Sequence, residues 1–508
     1  MQRTTTPAVR PAPATTRDQA EHGPSAAGRT DRPRRRIDAS LVTVLGLILG
    51  AWAAFTAASL AQHRAYYTNA FDLGFFDQII WNTAHGRLFA TSFVPYNFAG
   101  QHMEPVLLLF AAAYRLGAGP STLLVTQATV AAWAALPLFT AARTLLRSGR
   151  AAVTVAAAYL LAPHLHGAVL FDFHPEVLAT AAIFGAFALL VAHRPGLALA
   201  AFAVAFLLKE DAALAGIGFA LILWLRGYRR YAVALLGLSV LYLAVVVGVV
   251  MPAIRGGPGD LQERYGYLGV DARGIVAGAL RHPDRVVEQL VSEPVRSGTA
   301  YMLGAMALLP IAGPAVLAAL PVLAVNVLST HPPQAGLHLH YAILPFTLLL
   351  VAAVLGIERS ARSAVWSRIG LNRARATVVL AGVLLLGEGV AFLLGSPLGP
   401  RRFYTARYQA TSHTAAVVRV LRAVPSDAAL SAQSGLLPHL SHRREVWEFP
   451  QMESARYEVI DRRSWHSSQA GDAGYEGTLD RLPALGFCPL VQVDGVELWE
   501  RTETCGSR

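Results

Sequence analysis

What this sequence lacks most is lysine. Of its 43 lysines and arginines, only Lys209 is lysine. Arginine serves wherever a positive charge alone is wanted, so Lys209 is either a chance survivor of a bias against lysine or a position where a compact ammonium works and a forked guanidinium does not. Cysteine is nearly missing too. Cys488 and Cys505 both lie in the last stretch, which excludes a four-cysteine metal centre and leaves room for one disulfide. Charge is sparse: 15% of 508 residues are Asp, Glu, Lys or Arg, against 54% hydrophobic. The net charge of +11 is not read as nucleic-acid binding. The arginines stand in short clusters between apolar runs, as topology determinants do.

What the sequence has in quantity is apolar runs near the roughly 20 residues that cross a bilayer. It reads as an all-α polytopic protein of the plasma membrane with about eleven transmembrane segments. These are residues 40–61, 121–142, 151–168, 177–192, 196–208, 212–225, 231–251, two short helices within 300–330, 342–357 and 376–395. Residues 1–38 are polar and rich in Pro, Thr, Ala and Arg, the composition of a disordered tail. The first apolar run is too long for a cleavable signal, so the tail is expected to be retained. Arginines at 32 and 34–36, 143–150, 226–230 and 359–375 place that tail and the following even loops in the cytoplasm.

Residues 39–395 then form the membrane domain, with an outer loop at 62–120. Within that loop, 105–117 is apolar but too short to cross and is expected to lie at the interface. From 396 to 508 the composition turns globular. An amphipathic helix is expected at 408–423, with strands at 428–432, 445–449, 457–460, 489–493 and 496–500. The last two flank Asp494-Gly495, a strong hairpin signal. This part reads as a small extracytoplasmic α/β domain.

The chemistry concentrates in loops on one side. The stretch 69–105, NAFDLGFFDQIIWNTAHGRLFATSFVPYNFAGQHMEP, carries Asp72, Asp77, His85, His102 and Glu104 among many aromatics. FDFHPE at 171–176 supplies His174 and Glu176. Lys209, Glu210 and Asp211 join two short apolar helices, where an ionisable group is costly unless it faces a polar cavity. HPPQAGLHLHY at 331–341 brings His331, His338, His340 and Tyr341. His-x-Glu occurs at 102–104 and at 174–176, and such mixed ligands suit Mn²⁺, Mg²⁺ or Zn²⁺ better than Ca²⁺. Each cluster also has a plain reading. Asp72 can cap a helix running from Leu73 to His85 with Gly86 as its stop. Pro175 suits a first helical position. The loop histidines can be solvated or interfacial.

FDLGFFDQIIWNTAHG, FDFHPE, LLKEDA and HLHY resemble an uncharacterised family of predicted polytopic membrane proteins over roughly residues 60–450. More broadly, the chain resembles the GT-C superfamily of membrane glycosyltransferases, in its protein-mannosyltransferase and aminoarabinose-transferase branch. GQHMEPVLLLFAAAYRLGAG resembles that branch's juxtamembrane helix, and LLKEDAALAGIGFALILWLRG its short hairpin with an outer lysine. The resemblance implies a polyprenyl-phosphate sugar donor, an extracytoplasmic acceptor and a catalytic acid at Asp72 or Asp77. It implies donor-phosphate contacts from Lys209, His338, His340 and Tyr341. Metal ligation by His102, Glu104, His174 and Glu176 is a further expectation, with Glu210 and Asp211 elsewhere in the pocket. The chain departs from the pattern in having Asp-x4-Asp where an adjacent acidic pair is usual. A transporter or a non-catalytic envelope scaffold is the competing reading. It would place charges near mid-membrane and show internal repeats.

Overall fold

The computed structural model of the chain describes residues 38–257, 261–463, 471–502 and 505. The tail expected at 1–38 lies outside these, apart from Asp38. From Ala39 onward the chain forms one compact unit.

Among the described residues, five helices are long and apolar enough to cross a bilayer: Ala39–Arg64, Pro120–Leu146, Arg229–Arg255, Pro332–Ser360 and Arg373–Gly395. Gly149–Leu161 and Pro163–Val169 make a sixth if the 47° bend between them is counted within one span. Pro163 accounts for the bend, because it lacks an N–H and its ring crowds the preceding turn. Pro175–Val191, Pro195–Ala205, Ala212–Leu225 and Pro314–Val327 are apolar but shorter. By length the count is therefore five or six, not eleven. Pro195–Ala205 has 11 residues and rises only about 17 Å, little more than half the hydrocarbon core.

Pro332–Ser360 is the axis of the bundle, with 89% of its most apolar window buried. It packs against Pro175–Val191 and the 3-10 turns Leu309–Ala312 and Pro314–Ala319. Ala39–Arg64 and Arg229–Arg255 instead turn Leu49, Val233, Leu241 and Val249 outward, as helices facing lipid do. The two short helices around Lys209 are drawn into the bundle. A Cβ on Gly218 would stand 1.8 Å from the Ala318 carbonyl oxygen, so only glycine permits that approach.

The segment 105–117 contains one helix, Leu107–Tyr114, of 8 residues. That is about 12 Å, too short to cross. After residue 411 come the helix Ser412–Leu421 and five strands: β1 Leu430–Ala432, β2 Val446–Glu448, β3 Tyr457–Asp461, β4 Phe487–Val493 and β5 Val496–Arg501. Their order is β2-β1-β3-β5-β4, parallel among β2, β1 and β3 and antiparallel from β3 to β5 to β4. Asp494 and Gly495 both have positive φ, 50° and 82°, as a two-residue I′ hairpin requires. Cys488 and Cys505 are disulfide-bonded. The sheet sits directly on the first loop, where Ser92 Oγ donates to the Val446 carbonyl at 2.7 Å and accepts from its N–H at 2.9 Å.

Candidate active site

The first loop opens with an irregular turn. Ala70–Gly74 is π-helical and leads into the helix Phe75–Ala84. The plain reading of Asp72 as a cap for this helix fails, because it lies inside the π turn. The extra residue of such a turn displaces a side chain from the regular helix surface. The start of the turn is held from elsewhere. The N–H and the side-chain amide of Asn69 both donate to Asp172 Oδ2 at 2.8 Å. The stop is as expected, with Gly86 at φ 82°.

Freed from capping, Asp72 Oδ1 meets His174 Nε2 at 3.0 Å. Nδ1 of His174 faces the Phe171 carbonyl at 2.9 Å, which can only accept, so Nδ1 carries a proton. The Asp72–His174 contact then shares a single further proton. Burial raises the carboxyl of Asp72 above its ordinary range, against the pull of His174. For His174, burial pulls downward, but Asp72 outweighs it and the imidazole is held above its usual value. Asp172, pushed up by burial and then by the charge of Asp72, reaches about 7. The His174 ring stacks on His340 with centroids 3.8 Å apart, and His340 meets Tyr341 at 4.0 Å.

Glu176, two residues beyond His174, links this pair to the lysine. Lys209 Nζ donates to Glu176 Oε1 at 2.8 Å, and His340 Nε2 lies 3.9 Å from the same oxygen. Glu210 accepts from the Met103 N–H at 3.0 Å and meets His102 Nδ1 at 2.6 Å. Burial works against the Lys209 ammonium, but the carboxyls of Glu176, Glu104, Asp211 and Glu210 together hold its pKa above the usual lysine value. Asp211 is raised to about 6 by burial and by Glu210. Glu104 is buried with neither oxygen hydrogen-bonded, and burial holds its carboxyl well above the ordinary range. The one lysine of the chain is thus bonded to Glu176 and sits in the field of three further carboxyls.

Asp72, His174, Glu176, Lys209, His340 and Tyr341 thus form a chain of contacts, with the His102–Glu210 pair and the carboxyls of Glu104 and Asp211 acting on Lys209 through their charge. The cavity beside them has Glu176, Lys209, Asp211, Asn326, His340 and Tyr341 as its polar lining, whereas Asp72, His102, Glu104, His174 and Glu210 lie outside that lining. Its volume is about 30 Å³, room for a water molecule but not a sugar. A larger groove of about 420 Å³ beside Arg64, Ser121 and Thr122 has no acid–histidine pair among its lining residues.

Two expected site residues stand apart. His338 is exposed, on a turn strained by Leu337 and Leu339 at φ 54° and 55°, and does not line the cavity. Asp77 is fully buried and occupied. It accepts from Tyr114 Oη at 2.5 Å and Ser441 Oγ at 2.6 Å, and meets His442 Nε2 at 3.1 Å. That is a clamp between the first loop and the sheet. The two His-x-Glu pairs do not converge on a metal either, since His102 takes Glu210, His174 takes Asp72 and Glu176 takes Lys209. Among the described residues no three His, Cys, Asp or Glu side chains are grouped to hold a metal ion.

Residues 62–470 match the family described as predicted membrane protein (DUF2079). The chain belongs to that family. No curated protein matches the chain. Among solved structures it is similar to ArnT from Cupriavidus metallidurans in the apo state, with a TM-score of 0.50 and 13% identity. It is equally similar to the same protein bound to undecaprenyl phosphate, with a TM-score of 0.50 and 15% identity. Each match covers 92% of this chain and 99% of the other. At such identity the likeness is one of fold: the chain shares an ArnT-like fold and belongs to a family of predicted membrane proteins.

Several residues of the site carried no sequence signal of their own. Asp172 stands in the FDFHPE stretch, but nothing in one sequence says that it, and not Asp72, holds the turn. Gln127, inside an apolar helix, accepts from the His174 N–H at 2.7 Å and donates to the Asp172 carbonyl at 2.7 Å. Arg264 lies over the Tyr341 ring, 5.8 Å from its centroid, and donates to Gln334 at 2.7 Å. It comes from the charge-balanced loop 252–297, where six arginines face six acids and none stands out.

Proposed function

We propose that this protein is an integral membrane glycosyltransferase that moves a sugar from a polyprenyl-phosphate donor to an acceptor hydroxyl. The observation that carries the reading is the Asp72–His174 pair, with its shared proton, joined through Glu176 and His340 to the Lys209 cavity on a GT-C-like fold. The undecaprenyl phosphate held by the similar ArnT structure supports a donor of that lipid class. Asp72, as the carboxylate, takes the proton of the acceptor hydroxyl. That oxygen bonds to the anomeric carbon while the carbon's bond to the phosphate oxygen breaks, and the electron pair leaves on polyprenyl phosphate. The raised carboxyl of Asp72 suits it to this task, because a base works best with a pKa near the working pH.

The leaving phosphate needs positive charge. Lys209 is already committed to Glu176 and the surrounding carboxyls, so it acts as a fixed field. Arg264, bound through one nitrogen to Gln334, is the cation set to receive the phosphate at the Tyr341 edge. A cavity of about 30 Å³ admits the donor only when Tyr341 and Arg264 swing aside. The proposal includes the sidedness read from the arginine clusters: N-terminus cytoplasmic, sheet extracytoplasmic. Reporter fusions after Arg150 and Arg508 on the same side of the membrane refute that part.

The test of the reaction uses full-length protein in liposomes with radiolabelled undecaprenyl-phosphate sugars and a cell-envelope extract as acceptor source. Wild type releases undecaprenyl phosphate from its proper donor. Asp72→Asn binds the lipid phosphate and releases nothing. Equal turnover by wild type and Asp72→Asn sinks the reading.

A further inference from the structure

One buried amide ties the helix Pro120–Leu146 to the turn that faces Asp72. Gln127 lies on that helix and has no exposed surface. Its Nε2 donates to the Val169 carbonyl at 3.0 Å and to the Asp172 carbonyl at 2.7 Å. Its Oε1 accepts from the His174 N–H at 2.7 Å. Both amide hydrogens and the oxygen are used, which fixes the way the amide faces. Flipped, it would turn its oxygen toward two carbonyls. The bonds to the Asp172 carbonyl and the His174 N–H bracket Phe173. A residue on a neighbouring parallel strand would bond its partner in that way, so the side chain of Gln127 stands in for a strand.

The bracketed turn needs such a hold. Asp172 has φ 54°, in the left-handed region that residues with a Cβ seldom enter. Phe173 is fully buried and packs against the rings of Phe76 and Phe110, so the polar backbone groups beside it have to find partners within the protein. From this turn two bridges reach the segment that carries Asp72. Asp172 Oδ2 accepts from the N–H and the side-chain amide of Asn69 at 2.8 Å. His174 Nε2 meets Asp72 Oδ1 at 3.0 Å. Both bridges start from side chains of the turn, so the Asp72–His174 distance follows the backbone between 172 and 174.

We propose that Gln127 is a positioning residue for the Asp72–His174 pair: its amide locks the backbone between Asp172 and His174, and the two bridges from that turn set the contact of imidazole with carboxyl. That this contact serves sugar transfer rests on the glycosyltransferase reading, whereas the positioning does not. Gln127 bonds only to backbone groups of the turn, so it acts through His174 and Asp172. A merely structural amide would satisfy buried backbone groups and do no more. Its loss would lower stability and leave the geometry of the pair as it is.

Distance measurement by rotational-echo NMR separates the two without any substrate. It uses full-length protein in lipid vesicles, with isotope-labelled histidine rings and aspartate carboxyls. The part of the signal that Asp72→Asn removes belongs to the pair. The His–Asp contacts at His413 and His442 serve as internal controls. Gln127→Met keeps the length of the side chain and removes all three bonds. The short Asp72–His174 contact is expected to be lost in it, while the control contacts stay. Gln127→Glu keeps the acceptor and at most one donor. It gives an intermediate signal and covers the case in which Gln127→Met does not fold. A wild-type Asp72–His174 signal in either folded variant overturns the proposal. With the donor assay running, Gln127→Met lowers kcat by about 10²-fold at unchanged donor KM, the scale of loss that a small misplacement brings. Gln127→Glu recovers part of it. A lower unfolding temperature with unchanged kcat means a merely structural role and also overturns the proposal. Absence of donor turnover in wild type counts against the glycosyltransferase reading alone, since the distance arm still decides the positioning.

Discussion

Asp72 and Asp77 stand five residues apart on one segment, are the same amino acid, and have opposite surroundings. Asp77 has no exposed side-chain surface and three polar partners, Tyr114, Ser441 and His442. Asp72 keeps 19% of its side chain exposed and meets one imidazole. A carboxylate supplied with several donors is stabilised in place and has little capacity left for a substrate. A carboxylate with one partner and an open side can exchange a proton. The difference comes from the π turn, which takes Asp72 out of the regular helical rotation that places Asp77 under the sheet. Of the two acids, the one in the irregular turn keeps an open side and is the one proposed as the base.

The comparison breaks most visibly in activity. Asp72→Asn is expected to lower sugar transfer by about 10²–10⁴-fold, the usual loss for a general base, with thermal unfolding nearly unchanged. If Asp77→Asn instead gave that loss with intact stability, the roles would have to be exchanged. Next in size is the clamp. Asp77→Asn leaves a buried donor facing other donors and is expected to cost about 2–3 kcal/mol. Its readout is earlier unfolding and protease cleavage between the membrane helices and the sheet.

Lys209 extends the contrast to a cation: it is buried and bonded to Glu176, with three further carboxyls acting on it through their charge. Lys209→Arg keeps the charge but overfills the space, so about 1–2 kcal/mol of stability should be lost, read as a lower unfolding temperature. A fully stable arginine variant would show that the site has room for the larger cation.

The smallest effect is a pH dependence at the clamp. Burial disfavours the His442 imidazolium, but the hydrogen bond and charge of Asp77 outweigh it and raise its pKa. A raised histidine contributes fully below its unfolded value near 6.5. That contribution is lost as pH rises through the higher folded value. The destabilisation by His442→Ala should therefore be largest near pH 5–6 and fade above neutrality. With 42% of its side chain exposed, solvent screening keeps it under about 1 kcal/mol. A penalty that grows with pH would show the sign to be wrong.

The membrane character of this chain, its apolar segments and the gathering of its acids and histidines into a few loops were legible in the sequence. Apolar run length and the scarcity of charge are one-dimensional properties. The Asp494-Gly495 hairpin was legible for the same reason, because its backbone demand is met by two adjacent residues. Lys209 stood out by composition alone, and its bond to Glu176 came only with the fold. Partnership was not legible. His102 pairs with Glu210 across 108 positions, and Asp77 with Ser441 across 364. His-x-Glu spacing pointed to metal ligands because a sequence shows which residues are near along the chain, whereas hydrogen bonds follow nearness in space. Which acid holds the turn, which joins the sheet to the loop and which stays open to a substrate depended on donors brought from remote segments. Only the packed bundle, with the sheet set on the first loop, could assign them.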